Sequence, residues 1–150
     1  MANKQDIYLY NCNQVRTLDG LAIDKENING LELMQRAGMA VFKHILQHYK
    51  KYAITVFCGS GNNAGDGYII ATLAKEKNIA VKLIYLKKPQ NLKGDAKRAY
   101  EIANKAGVPM ADFSPKMVLE DSVIVDALLG TGLKGSVKEN YYDAIKIIND

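Results

Sequence analysis

Asn62, Asn63 and Asp66 stand inside the segment Gly59-Ser60-Gly61-Asn62-Asn63-Ala64-Gly65-Asp66-Gly67, directly after an apolar run. Glycines at this density let the backbone approach a ligand closely. A helix starting beyond them presents unpaired backbone N–H groups and the positive end of its dipole, which together make an anion site. Amide and carboxylate oxygens placed in such a loop can hold a cation or hydroxyl groups. The structural alternative is that Asp66 caps the helix and the asparagines form turns.

Two familiar phosphate loops do not fit these letters. A Walker loop ends in Gly-Lys-Ser/Thr, which is missing here. The dinucleotide fingerprint requires Gly-x-Gly-x-x-Gly, but three residues separate Gly61 from Gly65. No acidic residue follows at the expected distance; Tyr85 and Leu86 close the second apolar run instead. An ordinary dehydrogenase is a poor match.

A second segment, Val125-Asp126-Ala127-Leu128-Leu129, leads into Gly130-Thr131-Gly132-Leu133-Lys134-Gly135-Ser136. A buried aspartate in an apolar strand needs a partner: a cation, backbone donors or a ligand. An aspartate that merely caps the glycine loop is equally compatible with the letters.

The elements that must position these groups follow from periodicity. A helix is expected over about Asn13 to Lys25, with Val15, Leu18 and Ile23 inward. A second is expected over 31–49 with Met34, Ala37, Val41 and Ile45 as its core stripe, and Gly30 punctuates the join. Strands are expected at Tyr52 to Cys58, Ile79 to Leu86, Val108 to Met110 and Ser122 to Leu129. Helices are expected at 68–77, Gly94 to Ala106 and Tyr141 to Ile148. This alternation predicts an α/β, Rossmann-like, doubly wound, mostly parallel sheet with an N-terminal helical extension, formed by residues 1–150 as one domain. In such a sheet the first and fourth strands are often neighbours, and ligands bind beyond their carboxyl ends at the point where strand order reverses. The Asn63 and Asp126 loops would then face each other across one crevice.

Composition narrows the class. Of 150 residues, 48% are hydrophobic and 24% charged, which suits a globular domain with one sizeable core. No run approaches the roughly 20 apolar residues of a membrane span. The polar stretch Met1 to Tyr10 lacks a secretory core, so a cytoplasmic location is expected. Cys12 and Cys58 make no disulfide framework. The net charge of +4 is scattered, unlike a nucleic-acid footprint, and suits an anionic small molecule.

Together, G-S-G-N-N-A-G-D-G and V-D-A-L-L-G-T-G-L resemble the paired motifs of the NAD(P)HX epimerase (YjeF N-terminal) family. Gly30-Leu31-Glu32-Leu33-Met34 and Arg36-Ala37-Gly38 resemble its helical LMxxAG element. The resemblance implies epimerisation of R- and S-NAD(P)HX, the hydrated forms of NADH and NADPH, in nucleotide repair with a potassium ion. It implies that Asn62, Asn63, Ala64, Gly65 and Asp66 contact the dinucleotide, and that Gly130, Thr131, Gly132, Leu133, Lys134, Gly135 and Ser136 wrap its phosphates. Asn63 and Asp126 would ligate potassium. It further implies an NAD(P)HX dehydratase as a fused or separate partner. Ala64 stands where glycine is more usual in the family. The family's D-x-P-S-G strand, whose aspartate acts in catalysis, would lie beyond Asp150, so the chain is expected to be C-terminally incomplete. Asp126 is the acidic candidate for catalysis within the second loop. Asp66, at a helix start, is expected to be ionised and to serve binding.

A different class of function uses the same crevice: a nucleotide- or phosphate-binding or protein-interaction module without turnover. Among smaller signals, His44 and His48 have zinc-chelating spacing but no third ligand. Tyr8, Tyr10, Tyr141 and Tyr142 are either a contact surface or half-buried edge residues. The N-terminal helices, outside the sheet, are a candidate homodimer surface.

Overall fold

The computed structural model describes residues 8–26, 28–49, 52–120, 122–133 and 135–150. Two helices, α1 (Cys12–Glu26) and α2 (Gly30–His48), precede the alternation β1 (Ala53–Cys58), α3 (Asn62–Glu76), β2 (Val81–Tyr85), α4 (Gly94–Lys105), β3 (Met110–Asp112), β4 (Ser122–Ala127) and α5 (Glu139–Asn149). A short 3-10 turn, Pro89–Asn91, joins β2 to α4.

All four strands are parallel, in the order β3-β2-β1-β4. β1 is central, with Val56 beside Leu83 on one side and Val125 on the other. Its alternating side chains feed two cores, as a strand covered on both faces must. Ile54, Val56 and Cys58 pack with Met34, Phe42, Tyr68, Ile69 and the α4 alanines; Phe57 packs with Ile84, Tyr141 and Ala144. Helices α2, α3 and α4 therefore lie on one face and α5 on the other. The chain crosses from β3 to β4 through 113–121, whose Phe113, Met117 and Leu119 help cover the α5 face. That crossing reverses the strand order between β1 and β4. No helix among the described residues is long and apolar enough to cross a membrane.

The expected fold class is therefore present, with four corrections. Helix α3 starts at Asn62 rather than 68, because Gly65 and Gly67 face the core and packing outweighs their poor helix propensity. Strand β4 stops at Ala127 rather than Leu129, because the Asp126 carboxylate accepts the Leu128 N–H at 2.9 Å and turns the chain. On α2 the buried stripe is Met34, Gly38, Phe42 and Ile45; Ala37 and Val41 are exposed. Gly38 wins its place because a side chain there would collide with Ile69 of α3. On α1 the helix forms, but Val15, Leu18 and Ile23 are not inward: each is exposed, since no second layer covers that side among the described residues.

Candidate functional site

The site is built where β1 and β4 end side by side. The ladder continues past both strands, with the Gly59 N–H donating to the Ala127 carbonyl at 3.1 Å. A Cβ on Gly59 would strike the Leu128 carbonyl, so only glycine lets the two loops touch here. One turn into the loops, Asn63 Nδ2 donates to the Leu129 carbonyl at 3.1 Å and ties the first motif to the second. Gly61 is the N-cap of α3 and offers no side-chain cap. The first N–H groups of that helix are left for a ligand, at the positive end of its dipole.

A crevice of about 620 Å³ opens over this junction. Its walls include Asn62, Asn63 and Asp66 from α3, and Gly130, Thr131, Gly132 and Leu133 from the second loop. Seven of the residues singled out from sequence are thus brought together. Ala64 and Gly65 belong to the same segment but are buried: Ala64 lies in the core and Gly65 against Met34 and Ala96. The Ala64 methyl is accommodated as core, so alanine in place of glycine is harmless. Gly135 and Ser136 are exposed and do not line the crevice; Lys134 lies outside the described residues.

Asp126 is placed apart. It is exposed on the outer edge of β4 and lines a neighbouring recess with Val41, His44, His48, Tyr49 and Tyr52 rather than the crevice. Its bond to Leu128 N–H matches the capping alternative. The His44 and His48 rings lie tilted at 43° to each other with centroids 4.4 Å apart. Among the described residues no three His, Cys, Asp or Glu side chains gather as a metal site. Tyr8, Tyr10 and Tyr142 are exposed, whereas Tyr141 is buried and its hydroxyl pairs with Ser60 Oγ at 3.4 Å beneath the crevice.

Residues 30–150 match the family model described as YjeF-related protein N-terminus. The chain belongs to this family. A bifunctional NAD(P)H-hydrate repair enzyme, Nnr, of Coxiella burnetii is 41% identical over 142 residues, covering 94% of this chain and 29% of that protein. An NAD(P)H-hydrate epimerase of Pirellula staleyi is 33% identical, over 94% of this chain and 66% of its own length. A crystal structure of the yeast protein YNL200c superposes with a TM-score of 0.76 at 20% identity, covering 95% of this chain and 65% of that one; the likeness is one of fold. The chain is therefore shorter than each of these relatives.

The YjeF-related segment begins at the first residue of α2, yet the crevice has a wall that precedes it. Arg16 and Asp19 of α1 line it, and Arg16 Nη2 donates to the Thr131 carbonyl at 2.7 Å, strapping α1 to the second loop. Sequence reasoning missed both residues, because nothing in a helix with scattered charges says which face meets a distant loop. It also missed Ser60, Gly61, Leu128 and Leu129, which sit inside the motifs themselves.

Asp66 corrects a further expectation. It is not the N-cap: it lies in the second turn of α3, and its surroundings disfavour the ionised form rather than stabilise it, pushing the carboxyl up to about 6. Burial is the larger cause and the negative charge of Asp19 the second. The helix dipole fades within the first turn and does not offset either effect.

Proposed function

We propose that this YjeF-related chain epimerises R- and S-NAD(P)HX, the hydrated forms of NADH and NADPH, and so acts as an isomerase in nicotinamide nucleotide repair. The observation that carries the reading is the Asn63–Leu129 tie, which holds both family motifs around one crevice beside an uncapped helix N-terminus. Relatives named NAD(P)H-hydrate epimerase and NAD(P)H-hydrate repair enzyme support it. The free N–H groups of α3 and the glycine-rich turn Gly130–Leu133 suit the phosphates, and the adjoining hollow suits a ring. The substrate carbon bears a hydroxyl beside a ring nitrogen, and inverting it requires proton transfer at that oxygen.

Potassium belongs to this proposal. Asn63 uses Nδ2 on Leu129, which leaves Oδ1 without a partner among the described residues. Amide and carboxylate oxygens are hard donors suited to a large monovalent cation, but of the two expected ligands only Asn63 lines the crevice, while Asp126 lines the neighbouring recess. The ion would supply fixed positive charge beside the phosphates. A dehydratase, fused or separate, is the partner that would consume the S epimer. A cytoplasmic compartment goes with the reading, and Cys12 and Cys58 are free thiols.

The test is epimerisation of purified R-NADHX by this chain in potassium and then in sodium buffer, read through an added S-specific dehydratase. Potassium-dependent turnover, lost in Asp126→Ala, supports the full proposal. Turnover indifferent to the cation removes potassium from it. Saturable dinucleotide binding without turnover replaces it with a non-catalytic binding module.

A further inference from the structure

A dinucleotide brings a doubly anionic pyrophosphate into the crevice. The free N–H groups at the start of α3 answer it with only about half an elementary charge. Asp19 and Asp66 on the walls are carboxyl groups, of the same sign as the ligand when ionised. Among the described residues that line the crevice, Arg16 is the one cation, and it comes from a helix ahead of the YjeF-related segment.

We propose that Arg16 binds the pyrophosphate of the substrate, and that its bond to Thr131 sets the guanidinium and the phosphate-facing turn in place together. The proposal deepens the epimerase reading and rests on it for the identity of the ligand.

Arg16 stands in the second turn of α1, and its Nη2 donates to the Thr131 carbonyl at 2.7 Å. A guanidinium carries five N–H donors in a planar fork, so this bond leaves the others for a ligand. Neither ion pair among the described residues involves Arg16: Glu32 is held by Arg36 and Asp95 by Arg98. Asp19 lines the same crevice from the same helix, yet it is not paired with Arg16 either. The Arg16 charge therefore has no carboxylate partner among the described residues. A phosphate oxygen is the partner that planar, charge-assisted donors suit best.

The turn that Arg16 holds runs from Gly130 to Leu133, where the Leu133 N–H donates to the Gly130 carbonyl at 3.3 Å. With glycine at 130 and 132, this segment has little stiffness of its own. Asn63 ties its leading edge through Leu129, and Arg16 ties its middle through Thr131. Fixing the donor and the turn before the ligand arrives lowers the ordering cost of binding. The same bond engages the Thr131 carbonyl, whose lone pairs would otherwise be free to face phosphate oxygens.

NADPH binding, followed by its fluorescence, and epimerisation of R-NADHX test the assignment on the same chain. Arg16→Ala should weaken NADPH binding roughly 10- to 100-fold, the loss expected for a charge-assisted bond. Arg16→Lys keeps the charge without the fork and should fall between Arg16→Ala and the wild type. Inorganic pyrophosphate should compete with NADPH on the wild type, and Arg16→Ala should weaken that competition by a similar factor. In turnover, Arg16→Ala should raise KM while kcat changes by less than about 3-fold, as removal of uniform binding does. Arg16 is exposed, so the urea midpoint should stay that of the wild type. NADPH binding by Arg16→Ala within about 2-fold of the wild type overturns the assignment and leaves the epimerase reading in place. A loss for NADPH with none for pyrophosphate overturns it as well, since Arg16 then acts only through the turn. Arg16-dependent binding of both ligands, without turnover by the wild type, supports the assignment and removes the epimerase reading.

Discussion

Gly67→Ala pits local helix propensity against packing, and the two give opposite signs. Gly67 lies in the second turn of α3. A Cβ there would stand 2.7 Å from Ala127 Cβ, 2.7 Å from Cys58 Sγ and 3.1 Å from Val56 Cγ1. Carbon contacts are comfortable at about 3.5–4.0 Å, so two of the three are short by roughly 1 Å. None of the neighbours can swing away: Ala127 has no rotamer, and Val56 and Cys58 are fully buried on the central strand. Propensity alone favours alanine by about 1 kcal/mol. Overpacking at a rigid site costs about 3 kcal/mol, the upper end of its usual range, which leaves a net loss of about 2 kcal/mol. For a chain of this size that lowers Tm by about 4–8 °C. Relief comes only by lifting the start of α3, which would also lengthen the Asn63–Leu129 bond, 3.1 Å in this structure. The assay is urea unfolding at constant m-value, with the double variant Gly67→Ala/Ala127→Gly expected to recover part of the loss. Gly61→Ala, where an added Cβ meets nothing within 4 Å, serves as a control within a few tenths of a kcal/mol. A Gly67→Ala chain as stable as the wild type, or more so, would refute the packing account of why α3 tolerates its glycines.

Three further outcomes follow from the same structure. Because Asp66 titrates near about 6 when folded and near 3.8 when unfolded, the folded state keeps a proton that the unfolded state releases. The resulting penalty is nil at the acid end, grows from pH 4 to 6 and is constant above. Asp66→Asn should therefore stabilise the chain by about 1–2 kcal/mol at pH 7–8, discounted for partial exposure, and by nothing below pH 4, read from urea midpoints across pH. Phe42→Ala empties a fully buried site between α2 and the sheet and should cost about 3–5 kcal/mol in thermal unfolding. Asn29→Ala removes the N-cap bond that the Glu32 N–H donates to Asn29 Oδ1, 2.9 Å long, and should lower stability by about 1 kcal/mol in the same urea assay.

The alternation of apolar runs with helical patterns was enough to specify the fold class, because parallel strands covered on both faces must be apolar nearly throughout. The two glycine motifs were legible for a similar local reason: close backbone approach and a free helix N-terminus are properties of the letters themselves. The stripe on α2 was misplaced because Ala37 and Val41 satisfy the same spacing as Gly38 and Phe42. Only the position of Ile69 on α3 decides between them. The start of α3 was misplaced for a related reason, since whether Gly65 and Gly67 break a helix depends on what lies opposite them.

By itself, then, the sequence determined the layered fold, the pairing of β1 with β4, and the two loops that meet at their ends, all consequences of residue type and short-range period. The tertiary structure alone decided which side chains share that meeting place. It brought Arg16 and Asp19 in from a helix before the family segment, left Asp66 half-buried near the charge of Asp19, and left Asp126 on the outer edge of β4. Those placements depend on contacts between residues far apart in the chain; Arg16 and Thr131, for example, are 115 positions apart. The electrostatic environment of a carboxyl group depends on such neighbours, and no local pattern encodes it.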